Sequence, residues 1–335
     1  MRLLVTGGSG AFGSAFVRTA LTWPGVERVA VYSRDEHKQQ ALQASLGQDP
    51  QDRLRFFLGD VRDQPRLEQA LHGITHVVHA AALKCVPWLE YNPGEGLKTN
   101  ALGAMNLVDA AIKTGVQAVV ALSTDKAVAP VNLYGATKLA AEKFFLAANA
   151  LGGGRCRFTV VRYGNVTGST GSVVPAWRAT AKDGDSMPLT DDRMTRFWMT
   201  LPESVELVRK ALYEARGGEV LVPKLPSYRV RDLGEAVWKE QQPDSGWAAK
   251  FKATGIRPGE KLHESMISED EAPWAYDVGT HYEVVQGSDG VGPGGRSLEA
   301  TVSGQRVPDG FRYRSDENEL WLTPSEMQER LRAIP

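Results

Sequence analysis

The chain has 335 residues, which is enough for one large domain or two closely joined ones. Hydrophobic residues make up 42% and charged residues 24%, and the formal net charge of −1 argues against general binding to nucleic acid or to an anionic membrane. No stretch approaches the roughly 18 apolar residues of a membrane helix, and the two cysteines form no disulfide framework, which favours a cytoplasmic protein.

Strand-like and helix-like segments alternate along the first half of the chain. Short apolar runs predict six strands, at 3–6, 29–32, 54–58, 75–80, 118–123 and 158–162. Helical patterns fall between them, at 11–21, 35–46, 97–114 and 133–150. Strands that alternate with helices are usually parallel and joined by right-handed crossovers. The sequence therefore predicts an α/β fold with a doubly wound parallel sheet of the Rossmann type, whose ligand crevice lies at the carboxyl ends of the strands.

The alternation stops near Tyr163, and the chain beyond is rich in turns, with one helical pattern at 202–215 that would return to the sheet. We expect residues 1–165 to form a dinucleotide-binding domain and residues 166–335 to form mainly a smaller, interleaved substrate-binding domain. The glycine-rich run at 287–296 is predicted to be a mobile loop. A capping box at 323–326 predicts a terminal helix that continues through Leu331.

A glycine-rich turn separates the first strand from the first helix. Glycines at 7, 10 and 13 permit the close backbone approach by which a helix N-terminus receives a pyrophosphate. The predicted cofactor contacts in this turn are Gly7, Ser9, Gly10, Ala11, Phe12 and Gly13. Further contacts are predicted after the third and fourth strands, at Asp60, Val61, Ala80 and Ala81.

The end of the second strand indicates which dinucleotide binds. NAD sites usually carry a carboxylate there, but this chain has Ser33 and Arg34, with Lys38 one helical turn later. A hydroxyl and cations suit a 2′-phosphate, so the sequence predicts NADP, with Asp35 leaving some tolerance for NAD.

Tyr134 and Lys138 are four residues apart and share one face of the predicted helix. The ammonium of Lys138 is expected to lower the tyrosine pKa from its usual value of about 10. Tyr134 would then act as the base for a sugar hydroxyl, with both residues also contacting the cofactor.

Thr124, Asp125 and Lys126 follow the fifth strand, inside the predicted crevice. Thr124 could hold the reacting hydroxyl. A 4-epimerase or a reductase needs only the tyrosine, lysine and hydroxyl residues, so the adjacent acid and base indicate additional proton transfers. A 4,6-dehydratase needs such a pair: Lys126 would remove the C5 proton while Asp125 protonates the C6 hydroxyl that leaves as water. This role predicts a raised pKa for Asp125 and a lowered pKa for Lys126.

These motifs lie within long runs, AALKCVPWLEYNPGEGLKTNALGAMNLVDAA and ALSTDKAVAPVNLYGATKLAAEKFF, and further similarity continues through RPGEKLHESMISEDE to SDENELWLTPSEM. Together they resemble the UDP-N-acetylglucosamine 4,6-dehydratases of the extended short-chain dehydrogenase/reductase family. Tyr134 favours the inverting enzymes of the pseudaminic acid pathway, since capsule-type relatives commonly carry Met there. The resemblance implies a UDP-sugar substrate, a homo-oligomer and a UDP-2-acetamido-2,6-dideoxy-4-keto-hexose product with C5 inverted. Relatives that carry lysine at the position of Lys126 include both enzymes that retain and enzymes that invert the configuration at C5. The residues alone therefore leave retention and inversion open.

The predicted substrate-binding residues are Lys84, Asn165, Ser172, Val173, Arg196, Arg257 and Glu260. Arg257 resembles the arginine that clamps UDP phosphates in related sugar epimerases, whereas Arg196 could equally pack with its aromatic neighbours. Cys85 departs from the family, whose members usually carry His there.

Two other functions remain open. A UDP-sugar 4-epimerase or 4-keto reductase would not need Asp125 and Lys126, and a non-catalytic NADP-sensing protein would not need Tyr134 and Lys138. No metal site is predicted, because His76 and His79, although suitably spaced, fall on opposite faces of a strand.

Overall fold

A ten-stranded sheet forms the centre of the computed structural model, which describes residues 1–47, 52–168, 172–243, 248–285, 302–332 and 334. In chain order, the strands of the described residues are β1 (Arg2–Thr6), β2 (Arg28–Ser33), β3 (Leu54–Leu58), β4 (His76–His79), β5 (Ala118–Thr124), β6 (Arg157–Tyr163), β7 (Met187–Leu189), β8 (Thr195–Phe197), β9 (Glu219–Pro223), β10 (Ser227–Arg229), β11 (Phe251–Ala253), β12 (Ser265–Ile267), β13 (Ala275–Asp277), β14 (His281–Val285), β15 (Gln305–Arg306) and β16 (Tyr313–Arg314).

Helices cover the sheet and form a second layer beside it. The α-helices of the described residues are α1 (Ala11–Ala20), α2 (Glu36–Leu46), α3 (Gln64–Leu71), α4 (Val86–Tyr91), α5 (Pro93–Gly96), α6 (Gly103–Thr114), α7 (Leu133–Leu151), α8 (Val173–Lys182), α9 (Leu201–Glu214), α10 (Val230–Gln241) and α11 (Pro324–Arg332). A π-helical stretch, Leu97–Leu102, joins α5 to α6 in one continuous helix. This helix ends at Gly115, whose left-handed backbone (φ 77°) satisfies the terminal carbonyls, as the sequence predicted.

The strand order across the sheet is β3-β2-β1-β4-β5-β6-β9-β14-β13-β15. The strands from β3 to β9 are parallel, and β14, β13 and β15 extend the sheet in antiparallel fashion. The first six strands have the order of a doubly wound nucleotide-binding sheet. The predicted fold class is therefore confirmed, and the six predicted strands end within one residue of the observed positions.

The chain beyond residue 165 contributes to both layers. It supplies β9 and the antiparallel strands of the sheet, and α9 packs against α1. A second hydrophobic cluster forms where α8, α10 and α11 meet, around Trp177, Val237 and Met327. Of these three helices, α8 and α10 were not predicted. The predicted capping box is confirmed, since Thr323 and Glu326 exchange hydrogen bonds at the start of α11.

The glycine-rich run at 287–296 lies outside the described residues. Within the described ranges, no helix is long and apolar enough to cross a membrane. In the same ranges, no three His, Cys, Asp or Glu side chains cluster in a way that could hold a metal ion.

Candidate active site

A cleft lies at the carboxyl ends of β1, β2 and β4, where parallel doubly wound sheets bind their ligands. Ten predicted cofactor residues line it: Gly7, Ser9, Gly10, Ser33, Arg34, Lys38, Asp60, Val61, Ala80 and Ala81. Ala11 and Phe12 begin α1, next to this cleft. The cleft is also lined by Leu83 and Thr99, which the sequence analysis did not single out.

The turn between β1 and α1 fits a pyrophosphate group. A side chain at Gly13 would place its Cβ 2.4 Å from the Gly7 carbonyl oxygen, so only glycine lets α1 pack this closely on the turn. Gly10 occupies the N-cap position and offers no side chain to the first amides of α1, and the first turn carries no acidic residue. The open N–H groups and the positive end of the helix dipole therefore suit an anion.

Two exposed cations lie at the rim of the cleft near the end of β2, each beside a carboxylate. The Arg34 side chain is 55% exposed and lies 3.7 Å from Asp60, and Lys38 is 67% exposed. Ser33 Oγ is hydrogen bonded with Ser9 Oγ at 2.8 Å. Asp35 is engaged as the N-cap of α2, where the hydrogen bond from the Lys38 amide lowers the pKa of its carboxyl. This carboxylate is thus committed to a helix terminus.

Asp60, which lines the cleft, lies close to two arginines. Burial alone would raise the pKa of Asp60. Hydrogen bonds from Arg62, whose guanidinium donates to Asp60 Oδ2 at 2.6 Å, and the charge of Arg34 lower this pKa. Its backbone carbonyl accepts a hydrogen bond from the Tyr32 hydroxyl at 2.9 Å. These contacts fix an ionised carboxylate beside the cleft.

The predicted catalytic residues come together at the carboxyl end of β5. The Thr124 hydroxyl donates to Asp125 Oδ1 at 2.9 Å and is also hydrogen bonded with the Tyr134 side chain. Lys126 Nζ donates to Asp125 Oδ1 at 3.0 Å. A side chain at Gly135 would place its Cβ 2.0 Å from the Lys126 carbonyl oxygen. Glycine at this position therefore lets the start of α7, with Tyr134, lie directly on the acid–base pair.

Lys138 lies one turn further along α7 and is buried. Its Nζ donates to the Leu122 carbonyl oxygen at 2.6 Å, and burial lowers its pKa to about 8. The predicted lowering of the Tyr134 pKa is wrong in this structure. Burial raises the pKa of Tyr134 by more than the charge of Lys126 and the hydrogen bond with Thr124 lower it. The ammonium that acts on the tyrosine is thus that of Lys126.

The predicted pKa shift is confirmed for Asp125 but not for Lys126. The pKa of Asp125 is raised, as predicted, because the carboxyl is fully buried and faces the negative charge of Glu264. The predicted lowering of the Lys126 pKa is wrong. Burial would lower it, but the charges of Asp125 and Glu264 outweigh burial and raise it.

Glu264 is a residue of the catalytic cluster that the sequence motifs did not predict. It immediately precedes β12, is 2% exposed, and lies 3.1 Å from Lys126 Nζ. Lys261 reaches the same loop by donating to the Val128 carbonyl oxygen at 2.5 Å, and burial lowers the pKa of Lys261. Both residues stand in the charged run RPGEKLHESMISEDE, where nothing local distinguishes a buried glutamate from an exposed one.

Among the predicted substrate residues, Asn165 and Arg196 contact the catalytic cluster. Asn165 Oδ1 accepts a hydrogen bond from Lys126 Nζ at 3.3 Å. Arg196 is buried, donates to the carbonyl oxygens of Lys261 and Thr195, and lies 3.6 Å from Glu264. The guanidinium is therefore committed to internal partners.

Arg257 and Glu260 lie at the edge of the site. The Arg257 side chain is 69% exposed and pairs with Glu260 at 3.3 Å. The adjacent Gly259 carbonyl oxygen accepts a hydrogen bond from Asn132, the N-cap of α7, at 2.7 Å. This contact places the turn beside the helix that carries Tyr134.

The other substrate candidates have less defined positions. Lys84 is exposed and follows the cleft-lining Leu83. Ser172 and Val173 lie at the start of α8, and Ser172 Oγ is buried with no hydrogen-bond partner among the described residues. Cys85 is exposed at the N-terminus of α4.

A family model described as "Polysaccharide biosynthesis protein" matches residues 3–286. The chain belongs to this family. The UDP-N-acetylglucosamine 4,6-dehydratase (inverting) of Campylobacter jejuni is 44% identical over 331 residues, covering 98% of this chain and 96% of that protein. The UDP-glucose 4-epimerase of Rickettsia canadensis is 39% identical over 287 residues, covering 84% of this chain and 82% of that protein. The resemblance drawn from the sequence motifs is confirmed.

Solved structures share the fold. Pen from Bacillus thuringiensis superposes with a TM-score of 0.87 at 32% identity, covering 99% of this chain and 98% of that one. DesIV, a dTDP-glucose 4,6-dehydratase from Streptomyces venezuelae solved with NAD, superposes with a TM-score of 0.68 at 26% identity, covering 78% of this chain and 87% of that one. The shared fold implies a nicotinamide cofactor.

Proposed function

We propose that this protein is an NADP-dependent UDP-N-acetylglucosamine 4,6-dehydratase that inverts C5. The observation that carries the proposal is the pair formed by the buried Asp125 and the partly exposed Lys126 at 3.0 Å, next to Thr124 and Tyr134 at the carboxyl end of β5. Epimerisation or reduction at C4 has no use for such a pair, whereas loss of water across C5 and C6 needs an acid and a base together. The identity of 44% to a protein named for this activity supports the same conclusion.

The residues take the following roles in this proposal. Tyr134 and Thr124 bind the C4 hydroxyl, and Tyr134 accepts its proton. Lys126 takes the C5 proton, and Asp125, whose raised pKa favours the protonated form, gives its proton to the departing C6 oxygen. When bound, NADP supplies the redox chemistry, oxidation at C4 and reduction at C6.

We propose that residues 1–165 hold the cofactor and that residues 166–335 mainly hold the nucleotide sugar. The proposed cofactor contacts are the cleft residues together with Ala11, Phe12, Gly13, Tyr134 and Lys138. Arg257, Glu260 and Lys84 are proposed substrate contacts, and the side chains of Arg257 and Lys84 are exposed. Asn165 would contact the sugar directly, since it already touches Lys126. Ser172 and Val173 remain proposed contacts for uridine, and the homo-oligomer, the cytoplasmic location and the pseudaminic acid pathway remain predictions.

The activity is tested by incubating the purified protein with UDP-N-acetylglucosamine in D2O and following the sugar by proton NMR. We expect a new C6 methyl signal, deuterium at C5 and no net consumption of NADPH. The C5 coupling constants then distinguish inversion from retention. A change of configuration at C4 alone would instead establish a 4-epimerase, the function named for the Rickettsia relative. An unaltered sugar would favour the non-catalytic reading.

The preference for NADP over NAD is tested at Arg34. Replacing Arg34 with Ala removes an exposed cation from the end of β2, so NADP binding is expected to weaken about tenfold or more, because charged hydrogen bonds contribute about 1.5–3 kcal/mol. NAD binding should change little. Fluorescence titration with both dinucleotides measures the ratio. Arg55→Ala serves as the control, because Arg55 lies on β3 and pairs with Asp52. An equal loss for both dinucleotides would exclude a 2′-phosphate contact at Arg34.

A further inference from the structure

Lys126 is held between two buried carboxylates. Its Nζ lies 3.0 Å from Asp125 Oδ1, 3.1 Å from Glu264 Oε1 and 3.3 Å from Asn165 Oδ1. An ammonium group has three N–H donors. The three oxygens therefore match the full set of donors of a charged Lys126.

Glu264 is fixed from several sides. Its side chain lies 3.6 Å from Arg196 Nε, and its backbone exchanges hydrogen bonds with Ser315, at 3.0 Å and 2.9 Å. The second carboxylate oxygen, Oε2, is buried and has no hydrogen-bond partner in the described part of the chain. Burying a carboxylate that is not fully paired is costly. Because the fold keeps this carboxylate beside Asp125 and Lys126 at such a cost, we expect Glu264 to act on that pair.

We propose that Glu264 is a positioning residue for the dehydration. Clamped by Arg196, it holds Lys126 against Asp125 and keeps one shared proton on that pair. The inference rests on the proposed function, because it assigns Glu264 a part in the same reaction.

The shared proton has two places on the pair. It can reside on Lys126, with Asp125 ionised, or pass along the 3.0 Å hydrogen bond to give a neutral amine and a protonated Asp125. The second form is the one that dehydration needs. The amine takes the proton from C5, the C5 electrons form the double bond to C6, and Asp125 protonates the C6 oxygen, which leaves as water. The step returns the pair to its first form, so no other proton source is required.

The pair is competent only while it holds one proton. A second proton at low pH abolishes the base, and loss of the last proton at high pH abolishes the acid, so the pH–rate profile is bell-shaped and reports macroscopic values of the pair. The negative charge of Glu264 opposes loss of the proton and therefore moves the whole profile to higher pH. The pKa values of Asp125 and Lys126, both raised in part by Glu264, agree with this direction.

Other charged and titratable groups face the cluster from neighbouring elements. They are Arg196 on β8, Tyr228 on β10, Tyr134 on α7, and Lys261 in the segment before β12. The two cations oppose the effect of Glu264, and Arg196 is the cation that pairs with it directly. Removing Arg196 should therefore shift the profile in the direction opposite to removing the charge of Glu264.

The test is the pH dependence of dehydration by the full-length protein, followed as the rate of C6 methyl formation from UDP-N-acetylglucosamine. Glu264→Gln keeps the size of the side chain and one acceptor for Lys126 but removes the charge. We expect its profile to shift to lower pH by about one unit or more, with a lower kcat and an unchanged KM. Glu264→Asp, which restores the charge, should return the profile toward the wild-type position. Arg196→Gln should shift it to higher pH. Glu269→Gln, at an exposed position in the same segment, is the matched control.

The outcomes separate the two proposals. A wild-type protein that forms no methyl product contradicts the proposed function. An active wild type and a Glu264→Gln variant with an unshifted profile contradict the role of Glu264, even if the rate falls, because a purely structural role lowers activity without moving the pH dependence. If Glu264→Gln fails to fold, the direction in which Arg196→Gln shifts the pH–rate profile tests the role of Glu264. A shift to lower pH, or no shift, overturns the inference.

Discussion

Asp125→Asn is expected to slow formation of the C6 methyl product strongly while leaving oxidation at C4 in place. The amide fits the same buried position and can still bond with Thr124 and Lys126, but it cannot protonate a departing oxygen. Loss of a general acid typically costs about 10²–10⁴-fold in rate. We therefore expect the NMR rate of methyl formation to fall within that range.

The same reaction mixture provides a second readout for this variant. Oxidation at C4 changes the near-ultraviolet absorbance of the cofactor, and this change should persist in Asp125→Asn because Tyr134 and Lys138 are untouched. Asp109→Asn, at an exposed position on α6, controls for the loss of a carboxylate as such. Methyl formation at the wild-type rate would rule out Asp125 as the acid.

Arg162→Met is expected to destabilise the protein by about 3–5 kcal/mol, because it leaves two carboxylates buried without their cation. Arg162 is 1% exposed on β6. Its guanidinium donates to Glu142 at 2.7 Å and 3.1 Å, to Glu271 at 2.9 Å and 3.0 Å, and to the Met266 carbonyl oxygen at 2.9 Å. Urea denaturation followed by circular dichroism measures the loss.

An exposed arginine–glutamate pair gives the matched comparison. Arg209 pairs with Glu206 on the surface of α9, so Arg209→Met should cost less than about 1 kcal/mol. Adding Glu142→Gln and Glu271→Gln to Arg162→Met should recover part of the stability, since neutral amides no longer leave buried charges unpaired. A triple variant no more stable than Arg162→Met would mean that lost packing, and not unpaired charge, causes the defect.

The parallel half of the sheet could be predicted because its signals are local. Each strand is a short apolar run, as at Leu54–Leu58, and each following helix shows its own periodicity and caps. Asp125 and Lys126 were found for the same reason, since they directly follow β5 and the topology places the ends of parallel strands at one edge.

The short strands beyond residue 165 and the environment of Lys126 could not be predicted in the same way. Strand β8 pairs with β10, and β12 pairs with β16. These contacts join distant segments, so the hydrophobic periodicity of the sequence does not predict them. The raised pKa of Lys126 depends on the charge of Asp125, which directly precedes it, and on that of Glu264, which reaches it from a later segment of the chain. The predicted lowering followed from burial and from the nearby Lys138, and these two carboxylate charges outweigh burial.

The link between Arg162 and Glu271, which are 109 residues apart, has a consequence for how the protein is made. Contacts of such long range form late, and a growing chain folds from its N-terminus first. We expect a nascent chain to complete the cofactor cleft while the segment bearing Glu264 is still to be synthesised. Dinucleotide binding would then precede assembly of the proton-transfer site, and the bound cofactor could stabilise the incomplete sheet during translation.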